Sequence, residues 1–262
     1  MQKRFIILTA VFVWVTTVAP AWADVAVDLK PRDGVTLRVA VIVPDAPKAV
    51  VILFSGGGGK LRIKRNGKIK RDSNFVVRTR EMFANAGFVT MVPDVPSDRK
   101  KGRGIRGFRH VSDYTEDLRA LMRHARTSYK LPVWVLGTSA GTISVAHAGT
   151  RLSGPDRPDG LVFSASITKN SSHESHVLDF DLGKYTGPSL IVHHQQDGCR
   201  VTPASGAGDI KDKLEKASIA EVRLYEGGDP QGDYCKGQHY HGFHGIEEKV
   251  VGDMAKWMLA HQ

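Results

Sequence analysis

Pro132-Val133-Trp134-Val135-Leu136-Gly137-Thr138-Ser139-Ala140-Gly141 is the stretch on which the fold turns. Five residues of buried-strand type lead into a G-x-S-x-G pentapeptide, and a helix-like segment, Ile143–Leu152, follows almost at once. The pentapeptide by itself recurs by chance in a chain with 27 glycines. Strand, sharp glycine-flanked turn and helix in that order is far more specific. Such a turn lifts a serine hydroxyl to the tip of a sheet, and small neighbours tolerate its strained backbone. Ser139 is the candidate nucleophile.

Working outward, apolar β-rich runs alternate with amphipathic ones. Strands are predicted at Leu37–Val43, Val50–Phe54, Phe88–Val92, Pro132–Leu136, Leu161–Ala165, Leu190–His193 and Glu221–Tyr225. Helices are predicted at Phe75–Ala86, Tyr114–Tyr129, Ile143–Leu152, Ala207–Ala217 and from Ile246 to Leu259. Continuously apolar central strands need cover on both faces, which parallel sheets flanked by helices provide. The expected fold class is therefore α/β: an open, doubly wound, mostly parallel sheet with helices on both faces. The segment between Ser166 and Pro188 leaves room for a short cap, not a lid domain. Ligands of such sheets bind beyond the carboxyl ends of the strands.

The first residues bear on compartment. Lys3 and Arg4 precede an uncharged apolar run from Phe5 to Val18, and Ala21-Trp22-Ala23 forms an A-x-A site. Residues 1–23 read as a cleavable signal peptide, which implies a periplasmic or secreted protein. An uncleaved membrane anchor over Phe5–Ala23 is disfavoured by Pro20 and the small residues before the cleavage site. Residues 24–262 suit one α/β domain. Removing the leader takes away only two of ten excess positive charges. In an oxidising space the two cysteines, Cys199 and Cys235, are expected to pair, the alternative being two buried thiols.

A serine hydroxyl attacks only when a base takes its proton and a carboxylate orients that base. Asp197 follows the strand ending at His193 and is the candidate acid. The base comes from Gln238-His239-Tyr240-His241-Gly242-Phe243-His244, before the last helix. His241 is preferred and His244 is the runner-up. The chain order Ser139, Asp197, His241 is that of α/β-hydrolases and differs from the other two familiar triad orders. On these residues the chain resembles the α/β-hydrolase superfamily. Its Asp-x-Cys and His-Gly-Phe segments are similar to those of secreted, dienelactone-hydrolase-like members.

The resemblance makes Ser55-Gly56-Gly57-Gly58-Gly59 the oxyanion loop, with Ser55-Gly56 replacing the usual His-Gly opening. An oxyanion hole needs backbone N–H groups that side chains do not obstruct. Gly57 and Ala140 are the favoured donors, with Gly58 next. Phosphate cradling in the manner of a nucleotide site fails, since Lys60 is followed by Leu61. A Cys199–Cys235 bridge would fasten the acid-bearing loop to the base-bearing loop. Two basic loops follow the first and second strands of the parallel core, and Arg62, Arg65 and Arg103 are expected to form a rim attracting anionic substrates. The plainer alternative is a pair of solvated loops.

These residues predict an exported serine hydrolase acting on an ester or related acyl bond, without a cofactor. Its partner is a small-molecule or polymer ester. Nucleic-acid binding has only net charge in its favour. Two rivals stand beside it: a non-catalytic binding protein on the same fold, and a metal site from His239, His241 and His244 with Asp233 and His193 or His194.

Overall fold

The computed structural model describes residues 24–170 and 175–262. The expected leader lies outside the described residues, as does His173 in the connection after Ser166.

Strands β1 (Val25–Arg32), β2 (Val35–Ile42), β3 (Ala49–Phe54), β4 (Phe88–Pro93), β5 (Val133–Ser139), β6 (Gly160–Ser166), β7 (Ser189–His194) and β8 (Ala220–Tyr225) form one sheet in the order β1-β2-β4-β3-β5-β6-β7-β8. β2 runs antiparallel to both β1 and β4, and every pairing from β4 to β8 is parallel. Helices α1 (Phe75–Arg78), α2 (Arg80–Asn85) and α6 (Glu247–Ala260) cover one face. The other face carries α3 (Ser112–Tyr129), α4 (Gly141–Arg151) and α5 (Gly206–Lys213).

Alternation along β3 shows why the apolar runs were continuous. Val50, Ile52 and Phe54 pack beneath α3 and α4, whereas Ala49, Val51 and Leu53 pack with α1, α2 and α6. A strand buried on both faces has no polar side to display. Each of its larger side chains contributes about 1.5–3 kcal/mol relative to exposure.

Two elements differ from expectation. β1 was not foreseen: it is an edge strand with no fully buried residue, and Pro31 sits where its register with β2 slips. Proline is tolerated at such an edge bulge. The helix expected over Phe75–Ala86 is two pieces, α1 and α2, broken at Thr79. The Thr79 hydroxyl donates to the Phe75 carbonyl at 2.8 Å, the local competition that bends helices. The connection from β6 to β7 folds through short turns at Val177–Asp179 and Leu182–Lys184 that pack on α4 and α5.

Candidate active site

β5 ends on Ser139, and α4 starts two residues later. So abrupt a reversal puts Ser139 at φ 58°, a left-handed conformation costing a non-glycine residue of order 1–3 kcal/mol. Gly141 makes the turn possible, because a Cβ there would collide with the Phe54 carbonyl at the end of β3. Half-buried Ser139 opens on a cleft of about 420 Å³ whose other walls include Gly57, Asn74, Arg106, Ile167 and Val201.

Asp197 and His241 come from loops on either side of β8. Asp197 lies just beyond β7, and His241 sits in the short turn Tyr240–Gly242 before α6. His241 Nδ1 is 2.9 Å from Asp197 Oδ2. The same carboxylate accepts the Cys199 N–H at 2.9 Å, the Thr202 hydroxyl at 3.1 Å and His193 Nε2 at 3.2 Å. Burial alone would raise its pKa. Hydrogen bonds from His193 and His241, with the charge of His241, outweigh burial and hold the carboxyl well below the usual range.

Protons follow from these partners. An ionised carboxylate only accepts, so the His241 Nδ1 carries a hydrogen and donates it to Asp197. The His241 Nε2 is buried and has no hydrogen-bond partner among the described residues. His193 Nε2 faces two acceptors, Asp197 and the Thr202 carbonyl at 2.9 Å, and is likewise a donor.

The remaining histidines of the segment go elsewhere. His244 Nδ1 lies 3.2 Å from Glu247 Oε1, and His239 packs its ring against Tyr234 and Tyr240. Among the described residues no three His, Cys, Asp or Glu side chains converge as a metal site. Cys199 and Cys235 form a disulfide with their Cα atoms 4.7 Å apart, and both cysteines line the cleft that holds Ser139. The loops that carry Asp197 and His241 are thereby covalently joined.

The glycine loop after β3 carries Gly57 beside Ser139, with its N–H making no hydrogen bond among the described residues. Ala140 directly follows Ser139 at the start of α4. Gly58 serves packing instead. A Cβ there would strike the Arg103 carbonyl, and Ile105 N–H donates to the Gly58 carbonyl at 3.0 Å. The buried Arg109 guanidinium donates to the carbonyls of Gly57 at 2.8 Å and Ser55 at 3.3 Å.

The expected basic rim is rearranged. Arg103 does line a cavity next to Ser139. Arg62 lies over a separate cavity of about 320 Å³, and Arg65 is exposed in a turn and lines neither. The loop reverses between them, as Lys64 N–H donates to Lys68 O, so adjacent basic residues diverge. Arg106, in the second basic loop of the sequence, lines the cleft with Ser139, whereas the places of Asn74 and Thr202 were not legible in the sequence. Sequence reasoning read His193 only as a metal ligand, although a histidine ending a fully buried apolar strand was already the signal.

The sheet order, the helices on both faces and the strand–turn–helix serine make this an α/β-hydrolase fold. No protein-family model and no curated protein matches the chain. Solved structures do. Dienelactone hydrolase from Anabaena variabilis is 16% identical, with a TM-score of 0.62 over 92% of this chain and 98% of that one. An esterase from Pyrococcus furiosus is 12% identical, with a TM-score of 0.64 over 92% of this chain and 93% of that one. The butyrate-bound esterase 2 of Thermogutta terrifontis is 16% identical, with a TM-score of 0.60 over 91% of this chain and 94% of that one. At these identities the likeness establishes the fold alone.

Proposed function

We propose that the protein is an exported serine hydrolase that cleaves an ester or related acyl bond through Ser139, His241 and Asp197. The observation that carries this reading is the His241 Nδ1–Asp197 bond of 2.9 Å, which turns Nδ1 to the carboxylate and leaves Nε2 buried without a hydrogen-bond partner, while Ser139 occupies a strained strand–helix turn. Its support from likeness is the fold shared with esterases.

Ser139 Oγ attacks the acyl carbon while His241 Nε2 takes its proton. Asp197 stabilises the resulting imidazolium without itself becoming protonated. Negative charge gathers on the former carbonyl oxygen, where the Gly57 and Ala140 N–H groups receive it. One such donor contributes about 3–4 kcal/mol to transition-state stabilisation. His241 then protonates the leaving oxygen, and an acyl-Ser139 remains. Water attacks that ester, His241 takes the water's proton, and the acid product leaves with Ser139 restored.

Export rests on the leader-like residues 1–23 and on the disulfide, a bond that persists in oxidising compartments. The Thermogutta esterase binds butyrate and is phosphorylated by paraoxon, so short acyl esters and an organophosphate are the first compounds to try. A fluorophosphonate should label purified, oxidised protein at Ser139, with the adduct located by mass mapping. Ser139→Ala should abolish labelling and lower kcat by about 10⁴–10⁶-fold with the fold retained. Folded protein that takes no label, and turns over no ester, would instead be a binding protein on this fold.

A further inference from the structure

Next to the cleft that holds Ser139 lies a second cavity of about 550 Å³, lined by Lys60, Arg71, Arg103 and Arg106 together with the glycine loop. The two adjoin, since Ser73, Asn74 and Arg106 line both. No carboxylate contributes to its walls, and among the described residues none pairs with any of the four cations.

The nucleophile is close. Gly56 forms part of the cavity wall, and a Cβ built on it would stand 2.9 Å from Ser139 Cβ. A Cβ built on Gly57 would stand 3.8 Å from the Arg106 guanidinium, which thus lies beside the proposed oxyanion donor. A group held in this cavity is only a few bonds from a carbonyl carbon at Ser139.

The cations are gathered by built structure and not by two floppy loops. Loop 102–106 is locked to the glycine loop through the Ile105–Gly58 backbone bond and through Lys60 Nζ, which donates to the Gly102 carbonyl at 2.6 Å. Behind them, buried Asp94 fixes the next turn by accepting the N–H groups of Leu61 and Ile63, each at 2.9 Å. Arg71, Arg103 and Arg106 are exposed and Lys60 is half-buried, so solvent softens their mutual repulsion; an anion entering the cavity still meets four cations, and guanidinium forks match carboxylate and phosphate oxygens in pairs.

We propose that this cavity is an anion subsite of the catalytic cleft, so that the substrate is an ester carrying a compact carboxylate or phosphate near its scissile carbonyl. The proposal rests on the serine-hydrolase reading and narrows its substrate class. Binding the remote anion positions the carbonyl at Ser139, and hydrolysis consumes one water to give the free alcohol and a product acid.

The test compares p-nitrophenyl butyrate with the mono-p-nitrophenyl ester of succinate, which carries a free carboxylate. Wild-type protein should favour the anionic ester in kcat/KM by about tenfold or more, the worth of one charge-assisted hydrogen bond, and the preference should shrink with added salt. The double variant Arg103→Gln/Arg106→Gln should lose that preference, and Arg103→Lys/Arg106→Lys should keep part of it. Labelling of Ser139 by a neutral fluorophosphonate reports whether fold and nucleophile survive in each. Competition by succinate but not inorganic phosphate assigns a carboxylate, and the reverse assigns a phosphate. Labelled wild-type protein that turns over both esters equally, with neither anion competing, overturns the subsite and leaves the hydrolase reading standing. No label and no turnover removes both.

Discussion

Asp197 Oδ2 accepts from three side chains; a simple triad requires neither Thr202 nor His193, and His193 is the one buried at the end of β7. It also bonds the Thr202 carbonyl, so it ties the acid to the loop that returns toward α5. We expect His193 to be a positioning residue. His193→Leu should lower kcat about tenfold or more with KM little changed, the loss of one hydrogen bond to a charged group. His193→Gln, whose amide N–H can stand where Nε2–H stood, should restore most of that loss, and steady-state kinetics on one ester decides it. At the same scale, His241→Ala should abolish phosphonate labelling, whereas His244→Ala should label at close to the wild-type rate because His244 is engaged with Glu247. Labelling that followed His244 instead would reassign the base.

Among the elements, loops decide most. β7 and β8 present the acid and base segments at the same end of the sheet as β5 presents Ser139, but neither strand dictates how those segments meet. The disulfide does much of that work, closing a separation of 36 residues. On the chain-entropy model it contributes roughly 4 kcal/mol. Reduction, or Cys199→Ser/Cys235→Ser, should therefore lower Tm by roughly 10 °C in a chain of this size. It should also lower kcat/KM as acid and base lose register. Calorimetry and ester turnover on the same reduced sample, with thiols counted, test both effects; full activity with both thiols free would separate the bridge from catalysis.

For the molecule as a whole, acid sensitivity follows from buried titrating groups. His147 on α4 bonds the Arg109 carbonyl and the Thr115 hydroxyl, each at 2.8 Å. Burial chiefly, with the nearby charges of Arg151 and His110, lowers its pKa from 6.5 to about 4. The unfolded chain binds this proton more tightly than the folded one, so stability is fully present above about pH 6.5 and falls as pH drops toward 4. The loss approaches about 3 kcal/mol, at no more than 1.4 kcal/mol per pH unit. Tm measured from pH 7 to pH 4 should fall less steeply in His147→Gln than in wild type. Asp197, depressed in pKa, behaves as an acid should: its contribution is present above the ordinary carboxylate pKa and is lost only in strong acid.

Period and punctuation alone determined the parallel core of this protein. Apolar runs too short for helices and too continuous for half-exposed strands leave only a two-sided sheet, and glycines flanking Ser139 mark the strand–turn–helix junction. The same local logic failed where neighbours decide. The half-exposed edge strand β1 acquires its conformation from β2, and Thr79 breaks a helix through one side-chain bond. Residue type nominated Ser139 and Asp197 and preferred His241 to His244, three residues apart in one turn-rich segment, only on its Gly-Phe context. Tertiary structure brought His241 and not His244 to Asp197. It likewise left Arg62 and Arg65 out of the walls around Ser139 and set Arg106 against the glycine loop. Hydrogen bonds and charge act through space between loops distant in sequence, so their partners are decided only when the loops pack.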